Sequence, residues 1–97
     1  MNETLEFTRE EVEFALERQK VIVELERFAK ENNNQFNQPD WYLVYNYSAG
    51  GVIWVKVETS YPNIPTSLLF SNNWIAAQAV EVVGEERLKK YYFGITD

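Results

Sequence analysis

Two kinds of side chain in this sequence could do chemistry: carboxylates and aromatic rings. There are fifteen Asp and Glu residues, three Trp, six Tyr and six Phe. A carboxylate pair can work as general acid and as nucleophile or base, provided a cleft raises one pKa and lowers the other. Most carboxylates here fall on one N-terminal segment, on or beside the side that periodicity turns to solvent. Asp40 and Glu58 instead flank expected strands. No cleft is marked by the pattern, so structural and solvent roles are expected. Histidine and cysteine are absent. That removes the Ser-His-Asp triad, thiol nucleophiles, disulfides and metal sites built on His or Cys. Gly50-Gly51 lacks the Lys-Ser/Thr and the following helix of a phosphate loop, and reads as a turn. No catalytic residue, metal or cofactor is expected. The chain is read as a non-enzyme that works by binding.

Trp41, Tyr42, Tyr45, Tyr47, Trp54 and Tyr61 crowd one region. Rings on a sheet can stack nucleobases, fill a core, or anchor a protein partner. Lys56 is the basic residue of that region, and the formal charge of the whole chain is −6. Nucleic-acid binding calls for a basic footprint, so the ranking is core first, protein interface second, nucleic acid last. Whether the sheet face around Tyr42, Tyr45 and Trp54 is buried or a binding surface stays open. The charge surplus is uneven: residues 1–31 carry nine acidic and five basic side chains, the remainder six and four.

Positioning these groups requires a compact unit. At 97 residues, 45% hydrophobic, the chain is expected to form a single α+β domain over residues 1–97 with its own core. The acidic opening has no basic stretch before an apolar one, and no apolar run approaches ~20 residues. The expectation is a cytoplasmic protein without a membrane partner.

The clearest element is a helix from Arg9 to Asn32. Thr8 and Glu11 form a capping box, Glu10 and Glu11 suit the helix dipole, and Asn32-Asn33-Asn34 supplies a stop. At 100° per residue, Phe14, Val21, Leu25 and Phe28 share one face, with Ile22, Ala15 and Ala29 beside them. This face should cover a sheet. Glu13, Glu17, Glu24 and Glu31 lie on the polar side and are the candidate charges for a basic partner. A second stripe holds Val12, Leu16 and Val23, with Gln19 between them. It either borders one broad core face or forms the interface of a homodimer.

A polar loop with Phe36 expected to tuck inward leads to two aromatic and β-branched runs, Trp41–Tyr47 and Val52–Val57. Around Ser48-Ala49-Gly50-Gly51 they read as a β-hairpin. Thr66–Phe70 is predicted as a third, edge strand. Ser71 is the expected N-cap of a helix carrying Ile75, Ala76, Ala79, Val80 and Val83, which Gly84 ends. A last short helix, Glu85–Tyr92, has Glu85–Lys89 and Glu86–Lys90 at i,i+4. The fold is thus a long N-terminal helix packed on a small three-stranded antiparallel sheet, followed by two short C-terminal helices.

Phe70-Ser71, Ala76, Ala79-Val80 and the run Val83-Gly84-Glu85-Glu86-Arg87-Leu88-Lys89-Lys90-Tyr91-Tyr92-Phe93-Gly94 resemble the ending of many small phage and prophage proteins of Gram-positive bacteria. In those, an aromatic hairpin also tends to come first. The resemblance covers roughly residues 39–95 and is a packing pattern without a catalytic signature. It implies a phage-related accessory protein of the bacterial host cytoplasm, with a protein partner, and carries over no site residues. One form of that role is an acidic inhibitor of a host enzyme or defence nuclease. The alternative is a structural or assembly module that oligomerises through its N-terminal helix.

Overall fold

The computed structural model describes residues 6–34, 38–57 and 63–96. Helix α1 runs Arg9–Asn32, strands β1 and β2 run Trp41–Asn46 and Gly51–Lys56, and a 3-10 turn spans Thr66–Leu68. Helix α2 follows at Asn73–Val83. Then α3, Glu85–Arg87, continues directly into a π-helical turn, Leu88–Tyr92. The chain is α+β.

The start of α1 is the capping box read from the sequence. Thr8 N–H donates to Glu11 Oε1 at 2.8 Å, and Glu11 N–H donates to Thr8 Oγ1 at 3.0 Å. β1 and β2 pair antiparallel, with Leu43 opposite Trp54 and Tyr45 opposite Val52. Asn46 shapes the hairpin loop. Its side chain accepts from Ala49 N–H at 3.0 Å and its carbonyl from Gly50 N–H at 2.7 Å, with Gly50 left-handed at φ 73°. Gly84 closes α2 and opens α3 at φ 105°, ψ 124°, a backbone region that only glycine enters without strain.

Three expectations are corrected. Thr66–Phe70 is not a third strand; the sheet has two strands, and Phe70 adds one isolated bridge to Trp41. The cause is competition for backbone groups. Leu68 N–H and Leu69 N–H turn back onto the Pro65 and Thr66 carbonyls at 2.9 and 3.1 Å in the 3-10 turn, while the side chain of Asn33 takes the Leu69 carbonyl and the Ser71 N–H, on the edge facing away from β1, at 3.0 and 2.9 Å. Asn72, not Ser71, is the N-cap of α2: its Oδ1 accepts from Ile75 N–H at 2.9 Å. Ser71 is buried, and its Oγ accepts from Asn34 N–H at 2.7 Å.

The third correction concerns what α1 covers. Its chief neighbours are α2, the 3-10 turn and the π-helical turn, and α2 is the layer laid on the hairpin. Val21, Leu25 and Ala29 are its buried residues; Phe28 is half-buried, and Phe14 stacks on Tyr91 at 5.2 Å. The core gathers these with Leu43, Val52, Phe70, Ile75, Ala76, Ala79, Val80, Val83 and Leu88. The sheet's inner face is Leu43 and Val52, flanked by Trp41 and Tyr45. Tyr42, Val44, Ile53 and Val55 form the other face and are half-buried. Phe36, Glu58 and Tyr61 lie outside the described residues.

Candidate interaction surface

α1 is anchored along only half its length. No residue from Arg9 to Lys20 is buried, whereas Val21, Leu25 and Ala29 are almost fully enclosed. At 1.5 Å per residue the helix is about 36 Å long, and its first three turns are covered only in part, where Phe14 meets Tyr91. The radius of gyration is 15.3 Å, against about 13 Å for a compact 100-residue domain.

Two polar connections hold the helix where it leaves the core. Arg18 Nη1 donates to the Tyr91 and Tyr92 carbonyls at 2.9 and 3.2 Å. Those carbonyls end the π-helical turn, where a cation is favoured. One turn and a half further, Arg87 Nη1 and Nη2 donate to Glu24 Oε1 and Oε2, both at 2.8 Å, while Nη1 also donates to the Val83 carbonyl at 3.0 Å. The guanidinium hydrogen bonds hold the Glu24 carboxyl below its usual range. Glu24, expected to face a partner, is therefore committed to the fold. The sequence offered Arg87 in a helix-surface run with no local sign of this partner.

The remaining acidic candidates are less occupied. Glu13 lies 3.5 Å from Arg9 and Glu17 3.1 Å from Lys20, both at the surface, and Glu31 is exposed. The four candidates thus do not form one free acidic patch. Glu85, expected at i,i+4 to Lys89, also reaches the sheet. Glu85 Oε2 accepts from Val52 N–H at 2.7 Å, tying the outer edge of β2 to α3. Gly51 makes room for it, since a Cβ there would sit 2.7 Å from that oxygen.

The apolar stripe is exposed. Val12 and Leu16 show 54% and 55% of their surfaces, Gln19 is exposed and Val23 half-buried. Leu16, Gln19 and Val23 line a shallow groove of about 250 Å³ bordered by Lys20, Glu24 and Arg27. Leu16 also borders an adjoining, wider groove of about 600 Å³ that runs from Glu10 and Phe14 to Lys90 and Tyr91. Elsewhere Phe7, Trp74 and Val82 are exposed apolar residues. Trp74 and Val82, with half-buried Gln78 between them, recur every fourth residue on α2.

Comparison with known protein families, curated proteins and solved structures returned no match. Among the described residues, no group of three or more acidic side chains could hold a metal ion. No helix among them is long and apolar enough to cross a membrane. Some aromatic groups are engaged in packing: Tyr45 meets Tyr47 at 5.0 Å and Phe93 at 6.2 Å, and Tyr92 meets Phe93 at 4.8 Å, whereas Tyr47 and Trp54 are themselves exposed. Burial pushes the Tyr92 phenol above its ordinary value, which keeps it neutral.

The Glu24–Arg87 pair makes a measurable prediction. Both side chains remain more than a third exposed, so a double-mutant cycle with Glu24→Gln and Arg87→Gln should give a coupling of about 0.5–1 kcal/mol. Because the folded state lowers the Glu24 pKa, this stabilisation is complete above the ordinary value of 4.5 and disappears as pH falls through the lower folded value. Urea unfolding from neutral to acid pH should show wild type and Glu24→Gln converging. A gap that widens toward acid would contradict the assignment.

Proposed function

We propose that this chain is a phage-related accessory protein of the host cytoplasm that acts without catalysis, by docking a protein on its N-terminal helix. The observation that carries the reading is the half-exposed stripe of Val12 and Leu16 on a helix segment with no buried residue. Val12 and Leu16 leave apolar surface in water without adding to the core, which costs solubility. The phage-related origin rests on the resemblance of the C-terminal third. The acidic-inhibitor form of the proposal keeps Glu13, Glu17 and Glu31 but loses Glu24 to Arg87. The interaction-module form therefore takes precedence.

Leu16→Glu tests the docking surface. The residue is more than half exposed, so its replacement should leave thermal stability within about 0.5 kcal/mol. The same change should weaken binding of a protein partner at least tenfold in a side-by-side titration. Equal binding by both proteins would remove the stripe as the docking surface.

A further inference from the structure

We propose that the occupant of the α1 stripe is a second copy of this chain, whose α1 lies antiparallel across it with Val12 against the partner's Val23 and Leu16 against the partner's Gln19. The inference rests on the interaction-module reading and adds the partner, the direction and the register.

Val12, Leu16, Gln19 and Val23 are spaced four, three and four residues apart, which is the alternation of a two-helix seam. Continuing the same alternation outward places Arg9 before Val12 and Glu26 after Val23. The seam is therefore basic at its N-terminal end, apolar in the middle and acidic at its C-terminal end. A parallel pair would set Arg9 on Arg9 and Glu26 on Glu26, a repulsion at both ends. An antiparallel pair sets Arg9 on Glu26 at both ends and Val12 on Val23 next to them, at the cost of placing each Leu16 against a Gln19. The flanking positions agree. Glu13, Lys20 and Arg27 form one row beside the seam, and reversal brings Glu13 of each copy to Lys20 of the other. In this direction the charges meet their complements, although the subunit as a whole carries −6.

The geometry leaves room for this arrangement. At 100° per residue the stripe lies roughly 150° around α1 from Val21, Leu25 and Ala29, so the two cores would sit on opposite sides of the helix pair. The groove at Leu16, Gln19 and Val23 offers a concave strip for the partner's ridge. Among the described residues, Arg9 and Lys20 are held by surface pairs, Arg9–Glu13 and Lys20–Glu17, at 88% and 55% side-chain exposure. Glu26 accepts only from the exposed Ser67 hydroxyl at 2.9 Å among its hydrogen bonds to described residues. One helix pair with few apolar layers is a small interface, so association is expected at concentrations on the order of micromolar or above.

The chain has no cysteine, which makes cross-linking clean. Val12 and Val23 of one helix are about 16 Å apart along its axis, too far for an internal disulfide. Under mild oxidation the double variant Val12→Cys/Val23→Cys should become a covalent dimer, while each single variant stays uncross-linked. Sedimentation of the wild type should show a monomer–dimer equilibrium. Arg9→Glu should weaken it about tenfold, and adding Glu26→Arg should restore it. Cross-linking of either single variant, a double variant that fails to cross-link, or a wild type that stays monomeric at every concentration overturns the proposal. A monomeric wild type whose binding to a different protein is still lost in Leu16→Glu would leave the interaction-module reading standing without this dimer. Loss of neither dimer nor partner binding in Leu16→Glu removes both.

Discussion

Replacing Phe70 with alanine should cost about 3–5 kcal/mol, the usual loss for a fully enclosed ring in a core that cannot collapse around the gap. Phe70 has no exposed surface and lies where the layers meet. Its backbone is also the hinge of the hairpin: Phe70 N–H donates to the Trp41 carbonyl at 2.7 Å, and the Phe70 carbonyl accepts from Trp41 N–H at 2.9 Å and Asp40 N–H at 3.1 Å. Removing the ring loosens the packing that keeps this bridge in register. Since small domains have about 5–15 kcal/mol in all, urea unfolding should show a midpoint reduced by a third or more. Phe28→Ala should cost less, because Phe28 is only half-buried. Equal losses at the two positions would mean that α1, and not the Phe70 junction, organises the core.

The second large effect is expected at Asn33. Its amide works as a short strand: Nδ2 donates to the Leu69 carbonyl at 3.0 Å, and Oδ1 accepts from Ser71 N–H at 2.9 Å. Leu69 and Ser71 are both buried. Asn33→Ala would leave two enclosed backbone groups without partners, at about 2–4 kcal/mol together. Asn33→Asp separates the two bonds. It keeps the acceptor for Ser71 but turns an oxygen toward the Leu69 carbonyl, so it should recover only part of the loss. Chemical denaturation of the three proteins measures the order directly. Asn33→Ala as stable as wild type would show that water replaces the amide.

These positions also explain how far the sequence could be read. The capping box, the turn at Ser48-Ala49-Gly50-Gly51 and the Gly84 stop were legible because each involves residues within five positions of one another. The hairpin was legible from alternation, and Leu43, Trp54 and Tyr45 share the face that alternation assigns them. The features that resisted are long-range polar contacts. Asn33 meets residues 36 and 38 positions away, and Arg87 meets Glu24 across 63. Nothing near Asn33 distinguishes it from Asn32 or Asn34, and nothing near Arg87 names its carboxylate. Missing the 3-10 turn at Thr66–Leu68, which Asn33 braces from its outer edge, turned a bent segment into an expected third strand. It also hid that α2, not α1, lies on the sheet. The Val12–Val23 stripe was visible as a pattern, while the charges at Arg9 and Glu26 acquire meaning only once the stripe is known to face outward.

The half-anchored α1 gives the molecule a gradient of order along a single helix. A helical segment of about a dozen residues is marginal in water unless packing supports it. Beyond Arg18, toward Arg9, that support comes chiefly from the Phe14–Tyr91 contact and the capping box at Thr8. The distal turns can therefore open while the core stays closed. A partner seated there must first still that opening, which consumes part of the contact energy. On the proposed docking role, such a handle would suit engagement that forms and releases rather than a permanent joint.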